Sequence, residues 1–399
     1  MRMADVTMAS PLMIAGLYPR LCAAVVLLAH VSVTSAIQAD EIDELIAVIA
    51  KAGPQGSGSV AARQSSRRLT KQGIEILPRL LRAMDTPNIV AANWYRSAYE
   101  SIVSREAAKA EPEFPVAFLQ KYARDSKRQG RPRRMVLSLL DKLTPTYRDS
   151  ILSTLLDDPE FCTDAVDLVL RQGYQALAQG DVEKAKTNFQ AAFKYARDVG
   201  QLTGAVDRLK AIGVNVNIIE RMGFVTRWYL LGPFDAPGRS GFDESFPPEK
   251  SVDISASFSG KDGAKIQWKL SQTEDRLGQV DLMQAIAPVK EAVGYAYAEL
   301  NCPQDQNVQL RCGADDNLSV WLNGEKILAR RQWLNGTRLD RFTAPALLKK
   351  GKNHLLVKIC QGPQHKNPAV PNNWSLQLRF CDETGYAADF ESALPKAAR

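Results

Sequence analysis

The chain has 399 residues, room for two domains with real hydrophobic cores, and a net charge of +7 from 51 basic and 44 acidic side chains. With 45% apolar and 24% charged residues, it is not collagen-like, a disulfide framework or wholly disordered. Three histidines and six cysteines make histidine-based catalysis or a multi-ligand metal centre hard to build.

In chain order, Arg20 precedes the apolar run Leu21–Val31 and the small residues Ser32–Ala36, the pattern of a secretory signal cleaved after Ala36 or Ala39. The expectation is an exported protein: periplasmic, cell-surface or secreted. Residues 1–39 carry two arginines and one aspartate, so their removal lowers the net charge from +7 to +6. No later segment reads as membrane-spanning.

Residues 40–222 read as helical. Ile42, Leu45, Ile46, Val48 and Ile49 have helix spacing, and a Gly/Ser-rich break follows at Gly53–Ser59. Three similar segments begin at Leu77, Phe114 and Ile151, 37 residues apart twice, with Pro87 and Pro159 closing the first and third. Equal spacing, an apolar face and proline punctuation predict an α-solenoid of stacked helix pairs. Within it, Lys121, Arg124, Lys127, Arg128, Arg131, Arg133 and Arg134 stand against a single Asp125. That run reads as a solvated helix-loop-helix surface or a contact for acidic polymer or anionic lipid; no aromatic interleaving points to nucleic acid.

Gly173–Ala185, followed by Phe189, Ala192 and Phe193, predicts a helical hairpin. Ala178, Ala185 and Ala192 allow close approach, and Gly180-Asp181 turns the chain and caps the second helix. The stretch from 40 to 222 resembles degenerate HEAT repeats, and the hairpin resembles a tetratricopeptide unit. The resemblance implies a surface that docks a protein partner, or a spacer.

From Gly223 to Arg399 the pattern changes to short apolar or alternating runs separated by Gly, Asn, Asp and Pro, which predicts an all-β sandwich or jelly roll. The expected class is therefore multidomain, α then β, with the change near residue 222. The five cysteines beyond the leader (Cys162, Cys302, Cys312, Cys360, Cys381) form no CxxC pair. They read as buried thiols or as disulfides among the last four.

The most specific motif runs from Asp315 to Ile327 and resumes at Leu347–Lys358. Asn323-Gly324 predicts a type I′ hairpin turn. This "V-x-L-N-G … L-x-x-G-x-N-x-L-x-V" pattern resembles the galactose-binding-like jelly roll, most closely the non-catalytic sugar-binding domain of family 2 glycoside hydrolases. Trp228–Asp235, Gly241–Asp243 and Phe246–Glu249 are similar to the opening of such sandwiches in secreted modular proteins of planctomycete-type bacteria, where the domain often follows helical repeats or a catalytic module. The resemblance implies carbohydrate or envelope polysaccharide as ligand.

Five of six tryptophans fall in this half, suited either to stacking on sugars or to filling a core. Trp321, opposite in face to Val320 and Leu322, and Trp333, in the polar loop 330–338, are the candidate sugar platform, with Arg330, Arg331 and Arg338 nearby. Asp315 and Asp316 resemble the paired aspartates that hold a structural Ca²⁺ in some sugar-binding sandwiches; otherwise they form a polar turn. Sequons begin at Asn317, Asn335 and Asn373. Enzyme candidates are thin. His354 and His365 accompany no nucleophile motif, and Asp243, Glu244, Glu249 and Asp253 read as turn acids. The expectation is a non-enzymatic binding protein, or else an envelope assembly protein that binds only protein.

Overall fold

The computed structural model describes residues 41–333, 336–367, 369–371 and 373–393. The leader and the Asn335 sequon lie outside the described residues. The chain is helical to residue 222 and antiparallel β beyond it, as expected. It forms two compact units, the first ending at Phe161 and the second beginning at Cys162. No helix of the described residues is long and apolar enough to cross a membrane.

The first unit contains α1 (41–50), α2 (Ser59–Leu69), α3 (Leu77–Ala83), α4 (Ile89–Ala107), α5 (Val116–Arg124), α6 (Gly130–Leu143) and α7 (Tyr147–Leu152). Asn88 shows how local chemistry sets the packing. Its Oδ1 accepts from Val90 N (3.1 Å) and Ala91 N (3.2 Å), capping α4. Its Nδ2 donates to Ala50 O (3.0 Å) and Ala52 O (2.7 Å), closing the end of α1.

The first two of the three similar segments open α3 and α5, but the third falls at the end of α7 and in the turn after it. The equal sequence spacing is therefore not a structural period.

The basic run does occupy a helix-loop-helix, α5–α6, yet one of its seven residues faces inward and two more are held in ion pairs. Arg133 is fully buried and bidentate to Asp158 (3.0 and 2.7 Å), with the Phe161 ring 4.8 Å away. Arg128 pairs with Asp85 (2.9 Å) and Arg134 with Glu160 (2.6 Å). Lys121, Arg124, Lys127 and Arg131 remain exposed, a weaker anionic contact than seven charges suggest.

The second unit opens with α8 (Cys162–Ala178), α9 (Val182–Tyr195), α10 (Val199–Ala211) and α11 (Ile218–Met222). The α8–α9 hairpin forms where expected, and Asp181 Oδ1 caps α9 by accepting from Lys184 N (3.0 Å). The close approach comes from Gly173 and Ala176 rather than Ala178, which is exposed. A Cβ on Gly173 would lie 2.6 Å from the Phe189 ring.

These helices are built into the same unit as the β-sheets. Arg221 donates to Phe193 O (3.3 Å), Lys194 O (3.0 Å) and Ala196 O (2.9 Å), the open carbonyls at the end of α9. The Arg221 guanidinium also lies 3.7 Å from the Tyr386 ring centroid, and Tyr386 OH returns to Lys194 O (2.7 Å). Buried Arg379 donates to Met222 O (3.1 Å). The change of secondary structure at 223 and the division between compact units are thus different places.

The described residues beyond 223 form thirteen strands: β1 (Arg227–Asp235), β2 (Ser257–Ser259), β3 (Lys265–Gln267), β4 (Lys269–Gln272), β5 (Val280–Asp281), β6 (Ala292–Cys302), β7 (Gln306–Ala314), β8 (Leu318–Leu322), β9 (Glu325–Arg330), β10 (Phe342–Leu348), β11 (Gly351–Gln361), β12 (Ser375–Cys381) and β13 (Glu391–Ala393); β2 and β3 pair with each other as a separate two-stranded sheet, and the other eleven make the sandwich. A one-turn helix, α12 (Leu282–Ala285), follows β5. The large sheet runs β4-β1-β6-β11-β8-β9, with β13 also on β6; the small sheet runs β10-β7-β12-β5.

Alternation gives the large sheet two apolar faces. Leu230, Ala296, Leu355, Val357, Val320 and Leu322 face the small sheet, where Trp228 and Trp374 fill the core. Leu231, Phe234, Tyr295, Tyr297, Trp321, Leu356 and Cys360 form the opposite face. The connection from β1 to β4 covers that face with Phe242, Phe246, Val252, Ile254 and Phe258. Cys162, Cys302, Cys312, Cys360 and Cys381 are all buried; burial pushes the Cys312 and Cys360 thiols up to about 12.

Candidate functional site

The covering connection is pinned by a buried ion pair. Lys358 on β11 meets Glu249 Oε1 at 2.8 Å, and Tyr295 OH donates to the same oxygen at 2.6 Å. Burial raises the Glu249 carboxyl, but the ammonium and hydroxyl outweigh it and hold it below the ordinary range. Lys358 also donates to Glu244 O.

Where this cover ends, at 248–252, the outer face continues into a cleft of about 460 Å³. One wall is Glu249, Lys250 and Val252; the floor is Tyr297, Glu299, Trp321 and His354. The sheet places the floor residues together because β6, β11 and β8 are adjacent and in register. His354 pairs with Glu299, and Leu356 pairs with both Tyr297 and Trp321.

The β8–β9 turn fixes the rim. Asn323 (φ 53°) and Gly324 (φ 85°) both take positive φ, as a type I′ turn requires. Asn323 N donates to His354 O (2.8 Å), and Asn323 Oδ1 accepts from His354 N (2.9 Å). Asn323 Nδ2 donates to Asn353 Oδ1 (2.8 Å); Asn353 in turn closes the 349–351 turn by donating to Lys349 O (2.7 Å). The N-G and G-x-N elements of the sequence motif thus hold His354 in place.

A polar chain crosses the floor. Tyr297 OH lies 3.0 Å from Glu299 Oε1 and 2.6 Å from His354 Nδ1, and Lys352 Nζ lies 2.8 Å from Glu299 Oε2. The carboxylate only accepts, so the single Tyr297 proton goes to Glu299 and His354 Nδ1–H donates to the Tyr297 oxygen. That leaves Nε2 for a ligand, on a side chain 52% exposed. The Tyr297 and His354 rings are stacked, 18° apart in plane with centroids at 6.1 Å. Burial and the neighbouring Glu299 raise the Tyr297 hydroxyl, which stays protonated as a donor. The tyrosine alternation Tyr295-Ala-Tyr297-Ala-Glu299 was the sequence signal for this floor; the sequence reading passed over it.

The residues singled out from sequence do not form one platform. Trp321 is on the outer face, as expected, but it is only 8% exposed. It contributes an edge to the cleft beneath Lys326 Nζ, 4.7 Å from its ring centroid. Trp333 follows the far end of β9, at least about 10 Å along the strand from Trp321. It is half-buried against Gly362, with the Arg239 guanidinium 4.8 Å from its ring. Arg330 lies over Phe342 and Arg331 over Phe242, where it pairs with Asp243 (2.5 Å). Arg338 is exposed, its backbone laid across Gly313.

Asp315, Asp316 and Asn317 are buried, in contact with Gln332, Gly336 and Gly362. Asp315 Oδ1 accepts from Gly336 N (2.6 Å), and Asp316 Oδ2 accepts from Gly362 N (2.7 Å). Asn317 Oδ1 accepts from Gln332 N (2.5 Å), so this sequon is not a surface acceptor. Burial, reinforced by Asp316, pushes the Asp315 carboxyl up to about 6. Lys290 acts electrostatically on both aspartates, and the described residues hold no group of three His, Cys, Asp or Glu placed for a metal ion. Two carboxylates facing an ammonium are a poor fit for Ca²⁺.

A larger recess of about 800 Å³ lies between β9 and β10, but no aromatic or histidine side chain lines it.

Comparison with protein-family profiles and with curated proteins finds no match. Among solved structures, the chain is similar to a beta-glucosidase from Kluyveromyces marxianus (TM-score 0.26, 11% identity, 44% of this chain and 21% of that one). It is also similar to a Faecalibacterium prausnitzii beta-glucuronidase (0.22, 14%, 40% and 31%). A third is the PA14 sugar-binding domain from an RTX adhesin (0.21, 14%, 42% and 96%). The chain spans between a fifth and a third of the two glycosidases. Scores this low assign neither an activity nor a ligand.

Proposed function

We propose that the β-sandwich is a non-catalytic carbohydrate-binding module of an exported protein, and that the helical segments dock a protein partner. The observation that supports the sugar reading is the outer-face cleft. It presents a stacked Tyr297–His354 pair and a Trp321 edge beside Glu299, Asn323 and the His354 Nε2. Aromatic surface takes the C–H faces of a sugar ring, and flanking polar atoms take its hydroxyls. Its volume suits a ligand of one or a few sugar rings. Both carboxylates in the cleft are committed to lysines, Glu249 to Lys358 and Glu299 to Lys352, which supports binding rather than acid-base hydrolysis.

The test is calorimetric titration of the purified full chain with soluble oligosaccharides, alongside His354→Ala and Tyr297→Phe. His354 is half exposed and Tyr297→Phe keeps the buried ring, so both proteins should fold. Saturable binding weakened at least tenfold in both supports the reading; no binding to any saccharide, or binding indifferent to both, overturns it.

A further inference from the structure

The charge left over in the cleft points to the class of saccharide. Glu249 and Glu299 are the two carboxylates that line it, and each is neutralised within the fold, at 2.8 Å in both cases. Lys250, on the cleft wall, is exposed and makes no ion pair among the described residues. Lys326 is exposed as well; its ammonium sits 4.7 Å over the Trp321 ring, and it too has no carboxylate partner there. Glu325 beside it lines the other recess instead. Two lysines therefore stand at the aromatic floor, Lys250 on the cleft wall and Lys326 over the Trp321 ring, with no carboxylate partner among the described residues.

Resting on the carbohydrate reading above, we infer that the cleft selects an anionic saccharide, one whose ring carries a carboxylate or a sulfate ester. The ring stacks on the Tyr297–His354 floor, and its charged group lies toward Lys250 or Lys326. A neutral sugar would leave both ammonium groups merely solvated, whereas an anionic one gains a charge-assisted contact with one of them.

The experiment titrates the full chain with four probes: an oligogalacturonate, the same oligomer with its carboxyls methyl-esterified, a sulfated galactan oligosaccharide, and its desulfated form. Each is measured at 50 and 500 mM NaCl, with wild type and with the surface double variant Lys250→Gln/Lys326→Gln. The inference expects at least tenfold tighter binding of one charged probe over its neutral counterpart at low salt. That advantage should shrink at high salt and vanish in the double variant; which pair shows it tells carboxylate from sulfate. Equal binding of charged and neutral forms, lost in Tyr297→Phe but untouched in the double variant, overturns the inference and leaves the sugar reading standing. No binding of any probe counts against both.

Discussion

Replacing Asp315 with Asn probes a buried carboxyl beside a second one, Asp316. Asp315 is 2% exposed, with one oxygen held by Gly336 N and Oδ2 without a hydrogen-bond partner among the described residues. Burial comes first, then the Asp316 charge, and together they raise its carboxyl from the usual value near 4 to about 6. A carboxyl raised on folding binds its proton more tightly in the folded state, so its contribution is most favourable below pH 4 and is lost as pH rises through 6. Two pH units correspond to about 3 kcal/mol of destabilisation at pH 8. Asparagine removes that charge and keeps the Gly336 contact, but introduces a buried N–H₂ lacking an assigned partner, costing about 1–2 kcal/mol.

The expected net gain is about 1–2 kcal/mol at pH 8, a rise of a few degrees in Tm, reversing to equal or lower stability at pH 4. Thermal unfolding of both proteins at pH 4, 6 and 8, with EDTA and with 5 mM CaCl₂, reads this out. An Asn variant less stable than wild type at every pH would refute the reasoning. A wild-type Tm raised by calcium and an Asn variant blind to it would show instead that the two aspartates hold the ion.

Three other outcomes follow from packing and charge. Glu249→Gln leaves Lys358 charged and buried, and should cost about 3–5 kcal/mol in urea unfolding, whereas Glu249→Leu/Lys358→Met should recover most of that loss. Gly173→Ala puts a methyl group 2.6 Å from the Phe189 ring; overpacking of about 1–3 kcal/mol, less alanine's better helix propensity of about 1 kcal/mol, leaves an expected net loss of up to about 2 kcal/mol by circular dichroism. A fragment beginning at residue 223 loses the Arg221 and Met222 contacts to Tyr386 and Arg379; it should unfold at a lower Tm than one beginning at 162, and equal Tm values would contradict the single-unit description.

Much of the architecture was legible because it rests on local rules. Period-two alternation marks β6, β8 and β11, Asn323-Gly324 marks the hairpin, and Gly180-Asp181 marks the α8–α9 turn. Faces were also legible: Trp321 does stand opposite Val320 and Leu322. Its exposure was not, because what covers the outer face is a connection from β1 to β4 whose path depends on a long-range pair, Glu249 with Lys358, 109 residues apart. The site was missed for the same reason. Tyr297, Glu299 and His354 become neighbours only once β6 and β11 take their register, whereas Trp333, nearer to Trp321 in sequence than any of these, is carried to the other end of β9. Charge counts misled similarly: Arg133 belongs to the core because Asp158 lies where it can be reached.

The measurement that bears most directly on the account is a comparison of two conservative variants in one saccharide titration. Tyr297→Phe removes a single hydroxyl from the outer-face cleft, and Trp333→Phe alters the loop at the other end of the sheet. The account expects saccharide affinity to fall at least tenfold in Tyr297→Phe and to stay within twofold of wild type in Trp333→Phe. Affinity lost in the tryptophan variant and kept in the tyrosine variant would move the site to the surroundings of Trp333 and contradict the cleft.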